Sequence, residues 1–241
     1  MTSGNEYRIV EWRTGYNESH DDTDHEAVGL AAIGKMGAGK TCFLFRLLRG
    51  EFDDKRVSTV SVDYQLKFVM SGHPEYVCPT RTVLKDTIGD SRAWHACAAH
   101  LKNVSGIFVC FDSSDPDSFD ECRTWIEKLR SDNSYAECLL VGLKADLYEA
   151  QPEGQRWMDS MDMQKTARDM GCSVGFCLVS AKTNSGVAEA FVRLVDAALD
   201  AERKLSDEVG QSNIKRGKGR TVNLAQPGRA TGAKKPCCGG N

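Results

Sequence analysis

The sequence lacks any apolar run long enough to cross a membrane, and its cysteines show no paired spacing. Its 241 residues contain no stretch of about 18 consecutive apolar residues, which excludes a membrane-spanning helix. The first residues, MTSGNEYRIVEWR, have no apolar core, so we expect no secretion signal. The ten cysteines are scattered, and six lie mostly inside apolar runs: Cys42, Cys78, Cys97, Cys110, Cys138 and Cys177. Without a secretion signal, these are predicted to be reduced thiols that pack in a core.

Neither sign of charge is in large excess, but the charges are unevenly distributed. The net charge is −3. From Arg203 onward the chain carries a net charge of +7, so the residues before it carry −10. An acidic body argues against a nucleic-acid-binding core, and we expect no nucleic-acid partner. A basic tail favours approach to an anionic surface.

Residues 27–48, which read AVGLAAIGKMGAGKTCFLFRLL, are the most informative stretch. The apolar run 27–33 predicts a buried strand, GKMGAGKT predicts a glycine-rich turn, and the spacing that follows predicts a helix from about Lys40. This order matches the phosphate-loop pattern G-x-x-x-x-G-K-[ST] in its strand–turn–helix context. Glycines let successive backbone N–H groups surround a phosphate, and the helix N-terminus adds partial positive charge. The alternative is a glycine-rich surface turn that fits the pattern by chance.

The rest of the sequence alternates predicted strands with predicted helices. Strands are expected at 57–69, 76–84, 106–111, 138–142 and 176–179, and helices from Asp115, at 162–170 and at 187–199. The first two of these strands flank the turn 71–75 and are expected to pair as a hairpin. The pattern predicts an α/β fold with a mostly parallel six-stranded sheet, one antiparallel strand and helices on both faces. The loops 34–41, 86–90, 112–114, 143–146 and 180–182 are then expected on one rim, where such sheets bind ligands.

Asp86 and Thr87 directly follow the second strand of the expected hairpin. An acidic residue at a strand end beside a phosphate loop is the Walker B arrangement, which holds Mg²⁺ directly or through water. The same Asp-Thr pair can instead open a turn or cap a helix. The two residues alone do not separate these interpretations.

Residues 1–26 are polar and show no sustained period, which predicts a flexible acidic extension before the folded domain. Within it, His20, Asp21, Asp24 and His25 could form a metal site, but a solvated, disordered acidic segment is the favoured interpretation. A weak strand is predicted at 7–12.

The order of the motifs resembles that of a Ras-superfamily small GTPase, and within that superfamily the Rab branch. The matching segments are GKMGAGKT at 34–41, STVSVDY at 58–64, DTIG at 86–89, DPDSF at 115–119, LKAD at 143–146 and SAK at 180–182. The resemblance covers residues 27–200 and implies a P-loop NTPase G domain, followed by a basic hypervariable tail at 201–241.

The resemblance implies a role for each matching residue. The implied nucleotide-binding residues are Gly34, Gly37, Ala38, Gly39, Lys40, Thr41, Cys42, Phe52, Thr59, Gly89, Lys144, Asp146, Ser180, Ala181 and Lys182. Thr41, Thr59 and Asp86 would hold Mg²⁺, and Thr59 would do so only in the presence of a γ-phosphate. The catalytic positions would be Lys40, Thr59, Gly89 and Asp90. Phe52 would pack on the guanine, Asp146 would accept from two donors that adenine lacks, and the Ala181 N–H would bond the guanine oxygen.

Four positions depart from the family pattern. Leu143 replaces an asparagine that bonds the base and braces the phosphate loop. Asp90 replaces the glutamine that orients the attacking water, and Met36 puts bulk where a small residue is usual. Lys85 replaces a tryptophan that the partners of Rab proteins read. These changes predict weaker nucleotide binding and slow intrinsic hydrolysis.

The residues from about Ser206 are rich in Gly, Lys and Arg and end in KKPCCGGN. This composition predicts a flexible tether. Cys237 and Cys238 after a basic stretch resemble the Rab double-prenylation signal, and two lipid chains anchor a protein stably. A bare thiol pair and palmitoylation are the alternatives.

The resemblance implies a GTP-binding molecular switch that hydrolyses GTP to GDP and regulates vesicle and membrane trafficking. Such a protein would cycle between the cytosol and the cytoplasmic face of an endomembrane. The implied partners are GTP or GDP with Mg²⁺, switch-dependent effector proteins, an exchange factor, a GTPase-activating protein and a prenyl-dependent chaperone. Two alternatives stay open. One is a pseudo-GTPase scaffold that binds nucleotide weakly with little turnover, and the other is a P-loop kinase or ATPase, against which Asp146 and the SAK segment argue.

Overall fold

The computed structural model describes residues 27–54, 63–70, 79–102, 104–132 and 135–216. Several predictions lie outside these residues: the extension 1–26 with its strand at 7–12, the start of the strand at 57–69, the turn 71–75, Thr59, Cys237 and Cys238. The chain divides into two units, Met1–Lys204 and Leu205–Asn241.

The described strands form one sheet within the first unit. They are β1 (Ala27–Ile33), β2 (Asp63–Met70), β3 (Pro79–Asp86), β4 (Gly106–Asp112), β5 (Glu137–Leu143) and β6 (Gly175–Val179). Their order across the sheet is β2-β3-β1-β4-β5-β6. All neighbours from β3 to β6 pair in parallel, whereas β2 and β3 pair antiparallel. The carboxyl ends of β1, β3, β4, β5 and β6 therefore lie at the same edge.

The described helices are α1 (Lys40–Arg49), α2 (Trp94–Leu101), α3 (Pro116–Ser131), α4 (Ala145–Glu149), α5 (Ser160–Asp169) and α6 (Val187–Arg216). Local sequence signals explain several of their ends. Asp115 caps α3 by accepting from the Asp117 N–H, with Pro116 at the first helical position. Asp159 caps α5 in the same way, and Gly50 ends α1 in the left-handed conformation. None of the helices among the described residues is both long and apolar enough to cross a membrane.

Two hydrophobic clusters cover the two faces of the sheet. On one face the sheet packs against α1 and α6, with Phe43 and Phe191 fully buried. On the other face it packs against α2, α3 and α5, with Trp125 fully buried. Strands β4 and β5 lie between both layers, which is why they read as continuous apolar runs.

The predicted α/β class, with a parallel sheet and flanking helices, is confirmed. The predicted end of the last helix is wrong, because α6 continues from residue 199 to Arg216. Residues 200–209 contain many strong helix formers and no proline, and these outweigh the polar composition that predicted a tether from Ser206. Helices α2 and α4 were not predicted, since both are short and α2 is rich in alanine, which leaves no clear apolar period.

Candidate functional site

A cleft of about 390 Å³ opens at the carboxyl edge of the parallel strands. Its lining comes from the loops after β1, β3, β5 and β6, from the start of α1 and from the segment after α1. Most of the residues predicted to bind nucleotide line it: Gly37, Gly39, Lys40, Thr41, Cys42, Phe52, Gly89, Lys144, Asp146, Ala181 and Lys182. The topology therefore brings together loops that are far apart in the sequence.

The loop after β1 follows a path that only glycine permits at its first position. Gly34 has φ 136°, and a Cβ there would lie 1.9 Å from the carbonyl oxygen of Cys110. Gly89, after β3, also leaves no room for a side chain, because a Cβ on it would lie 2.5 Å from the backbone nitrogen of Met36. The loops after β1 and β3 thus meet backbone to backbone at one end of the cleft.

Lys40 begins α1, and its ammonium group is held at this end. Its Nζ donates to the carbonyl oxygens of Gly34 at 2.7 Å and of Lys35 at 3.1 Å. Burial lowers the pKa of Lys40, while the nearby Cys110 and Asp86 act in the opposite direction. A buried cation on a glycine-rich loop provides strong attraction for an anion such as a phosphate.

Thr41 and Asp86 form a direct contact beside Lys40. The Thr41 hydroxyl donates to Oδ2 of Asp86 at 2.6 Å, and Asp86 is buried at the end of β3. Hydroxyl and carboxylate oxygens are suitable ligands for Mg²⁺, which completes its coordination shell with water and phosphate oxygens. Within the described residues, no group of three or more His, Cys, Asp or Glu side chains could hold a metal ion. The Thr41 hydroxyl and the Asp86 carboxylate are a pair of oxygen ligands that fits Mg²⁺.

The opposite end of the cleft contains Lys144 and Asp146. Lys144 has φ 58°, and its Nζ forms an ion pair with Oδ2 of Asp112 at 2.6 Å. Oδ1 of Asp146 accepts from the Ser180 hydroxyl at 2.6 Å, and the same hydroxyl oxygen accepts from the Thr183 N–H at 3.2 Å. These contacts fix the direction of both charged groups, so this end of the cleft presents an oriented carboxylate.

Leu143 forms an apolar wall between the two ends. It is 2% exposed, and its Cδ1 lies 3.6 Å from the position that a Cβ on Gly39 would take. The side chain packs against the glycine-rich loop, but it has no group that could donate to that loop or to a ligand. Leu143 therefore packs against the glycine-rich loop, as the asparagine of the family pattern would, but its side chain cannot form that residue's hydrogen bonds.

Asp90 lies outside the lining of the cleft. Its carboxylate accepts from the backbone nitrogen of Arg92 at 2.9 Å and from the guanidinium of the same residue at 2.9 to 3.2 Å. These hydrogen bonds hold the pKa of Asp90 below its usual value.

Met36 is 60% exposed at the mouth of the cleft. Lys85 points elsewhere, because its Nζ donates to the His100 carbonyl oxygen at 2.6 Å.

Four predicted residues lie behind the lining rather than in it: Gly34, Ala38, Asp86 and Ser180. Gly34, Asp86 and Ser180 form hydrogen bonds with the lining residues Lys40, Thr41 and Asp146. Ala38 is buried, and its N–H donates to the Lys35 carbonyl oxygen at 3.3 Å. Asp54 and Leu147 line the cleft although no motif marks them. Leu147 is one residue past Asp146, so a search of the flanking positions would have found it.

Comparison with known proteins agrees with this arrangement. The Ras family model matches residues 29–200. The GTP-binding protein ypt2 of Schizosaccharomyces pombe is 31% identical over 202 residues, which cover 81% of this chain and 94% of that protein. The Ras-related protein Rab-3B of Homo sapiens is 31% identical over 204 residues, with coverage of 83% and 86%. The Ras-related protein RAB1BV of Beta vulgaris is 30% identical over 220 residues, with coverage of 88% and 93%.

The family match spans every loop that lines the cleft, from the glycine-rich turn to Lys182. The similarity to the Rab and ypt proteins extends over more than four fifths of the chain, with 31% sequence identity. The chain therefore belongs to the Ras family and is a divergent, Rab-like member of it.

Proposed function

We propose that this chain is a GTP-binding molecular switch of the Rab type, which hydrolyses GTP to GDP and regulates membrane trafficking. One observation carries the proposal. A single cleft places the buried ammonium of Lys40 at one end and the oriented carboxylate of Asp146 at the other. The first suits the phosphates of a nucleotide, and the second suits the two donors on one edge of guanine.

At the phosphate end, the N–H groups of the glycine-rich loop and Lys40 would bind the β- and γ-phosphates. Thr41 and Asp86 would hold Mg²⁺, and Thr59 would join them when a γ-phosphate is present. Bound Mg²⁺ would neutralise charge on the phosphate oxygens. Gly89 would offer its N–H to the γ-phosphate, which is supported by its close packing on Lys40, whose Nζ lies 2.6 Å from the position that a Cβ on Gly89 would take.

At the base end, Asp146 would accept from the guanine N1–H and exocyclic amine, and Ala181 would donate to the guanine oxygen. Lys144 would lie along the base, and Phe52 would pack against it. Each of these four residues lines the cleft. Adenine lacks the oxygen and both donors, so the proposal requires a strong preference for guanine nucleotides.

The switch would operate through the segments that carry Thr59 and Gly89. A γ-phosphate would order them, partners would bind the ordered surface, and hydrolysis would release it. The partners would be effectors, an exchange factor and a GTPase-activating protein. Prenylation at Cys237 and Cys238 would attach the protein to the cytoplasmic face of an endomembrane, and a prenyl-dependent chaperone would return it to the cytosol.

The nucleotide that remains bound after purification tests the proposal. Protein purified without denaturation is heated, and the released nucleotides are separated by chromatography. We expect GDP and GTP, and we expect none from Lys40→Ala. Adenine nucleotides released in comparable amount would contradict the proposed function.

A pseudo-GTPase with little turnover is the second candidate, and two observations favour it. Leu143 offers the nucleotide no hydrogen bond, and the Asp90 carboxylate is occupied by Arg92. Single-turnover hydrolysis separates the two functions, since a scaffold would retain GTP where a slow switch would convert it.

A further inference from the structure

The base end of the cleft has two walls that come from distant parts of the chain. One is the segment after α1, which carries Phe52, and the other is the loop after β6, which carries Ala181 and Lys182. The distance between these walls and their orientation determine whether a flat base fits between them. A side chain that holds both walls would therefore control base recognition without itself touching the base.

Arg46 on α1 makes such a connection. Its Nε donates to the carbonyl oxygen of Ala181 at 2.5 Å, and its Nη2 donates to that of Lys182 at 3.1 Å. Its Nη1 donates to the carbonyl oxygen of Gly50 at 2.5 Å, at the turn that leads to Phe52. One planar guanidinium thus bonds three backbone carbonyls, two on one wall and one on the other.

The contact to Ala181 completes the positioning of its N–H group. On the preceding side, the Ser180 carbonyl oxygen, which shares a peptide unit with the Ala181 N–H, accepts from the Ser185 N–H at 3.1 Å, and the Ser180 hydroxyl donates to Asp146. On the following side, Arg46 holds the Ala181 carbonyl. Because the peptide units on both sides of its Cα are held, the direction of the Ala181 N–H is fixed.

We propose that Arg46 is a positioning residue for guanine recognition, which aims the Ala181 N–H at the oxygen of the base. The assignment rests on the proposed function and adds to it a residue that lies outside the lining of the cleft. Leu143 has no polar group with which to hold either wall, whereas the guanidinium serves three acceptors in one rigid plane. A lysine at this position could not replace it, because a single ammonium cannot reach three carbonyls in that geometry.

The test uses two analogues that each change one edge of the base. In 6-thio-GDP sulfur replaces the guanine oxygen and both donors remain, whereas IDP keeps the oxygen and lacks the exocyclic amine read by Asp146. Affinities for GDP, 6-thio-GDP and IDP are measured by calorimetry in Mg²⁺ for the full chain. We expect the wild type to prefer GDP over 6-thio-GDP about tenfold, the contribution of roughly one hydrogen bond. In Arg46→Gln and Arg46→Lys this preference should fall below about threefold, while the preference for GDP over IDP changes by less than about twofold.

Arg49→Gln is the matched control. It removes the same charge from the same helix at a side chain that lies over the Phe45 ring, and it should leave both preferences unchanged. Arg46→Lys keeps the charge, so it reports on the geometry even if Arg46→Gln does not fold. An unchanged preference over 6-thio-GDP in both Arg46 variants would overturn the assignment. Equal loss of both preferences, or a wild type that does not distinguish GDP from 6-thio-GDP, would overturn it too. A wild type that binds no guanine nucleotide would instead refute the proposed function itself.

Discussion

The carboxylate of Asp90 is bound by Arg92 through both the backbone N–H and the guanidinium, at distances from 2.9 to 3.2 Å. The same contact caps the short 3₁₀ turn Ser91–Ala93. The residue at the position of the family's glutamine is therefore ionised and held by a neighbour. It can accept from a water molecule, but it cannot donate to a transition state.

Asp90→Gln is expected to raise the intrinsic rate of GTP hydrolysis by about tenfold or more, because glutamine can both orient water and donate. Met36→Gly should raise it as well, by removing bulk at the mouth of the cleft. Single-turnover assays measure both rates. Asp120→Gln, which removes an exposed carboxylate from α3, is the control. If neither substitution raises the rate, these residues do not limit hydrolysis.

Leu143→Asn should have two opposite effects. It restores a hydrogen-bonding group beside the cleft, so GTP should bind about 10- to 100-fold more tightly. It also places an amide in a site that is 2% exposed, so the unliganded protein should lose roughly 2 to 4 kcal/mol of unfolding free energy. Calorimetry and denaturant unfolding measure the two effects. Leu143→Ala should lower stability without tightening binding, and equal GTP affinity in Leu143→Asn and wild type would contradict the explanation.

Much of the site could be predicted because its residues occur in short motifs at the ends of apolar strands. The run before Gly34 and the run before Lys144 each predicted a buried strand, and the structure has β1 and β5 there. A parallel sheet then places the following loops at one edge. Lys40, Asp146 and Ala181 reach the cleft by this route.

The contacts of Arg46 and Asp90 could not be predicted in the same way. Arg46 donates to backbone carbonyls, which every residue possesses, so its acceptors near Ala181 leave no mark in the sequence. Asp90 has an arginine two residues away, but the sequence does not reveal whether that side chain turns toward it. The end of α6 was mispredicted because the residues after 199 are polar, which is typical of flexible tails, and yet they have high helix propensity.

Cysteine reactivity should identify the cleft directly. Burial raises the pKa of Cys138 to about 11 and those of Cys172 and Cys177 to about 12, so at pH 8 all three remain protonated and unreactive. Cys42 is half-buried and lines the cleft. Peptide mass spectrometry after maleimide labelling should therefore find Cys42 modified at least about tenfold faster than those three.

Bound GDP and Mg²⁺ should slow the labelling of Cys42 and leave the other rates unchanged. Cys42→Ser verifies the peptide assignment. Labelling of Cys42 at the same rate with and without saturating GDP would show that the nucleotide does not occupy this cleft.

Membrane attachment should depend on Cys237 and Cys238. Replacement of both by serine should move the protein from the membrane pellet to the supernatant in a fractionation experiment. Truncation after Arg216 should do the same without altering GDP affinity. A cut at Arg216 keeps all of α6, including Glu202, which accepts a hydrogen bond from the Ser105 hydroxyl. A double-serine variant that still pellets with membranes would count against lipidation at these positions.

The central claim is that the cleft recognises guanine at one end and phosphates at the other. Calorimetric titration of nucleotide-free protein with GDP and with ADP, both in Mg²⁺, tests it most directly. Asp146→Ala is the control, and it should remove most of the preference between the two. The account predicts that GDP binds at least about a hundredfold more tightly than ADP, since the donors and the oxygen read by Asp146 and Ala181 are absent from adenine. Equal affinities for GDP and ADP would contradict it.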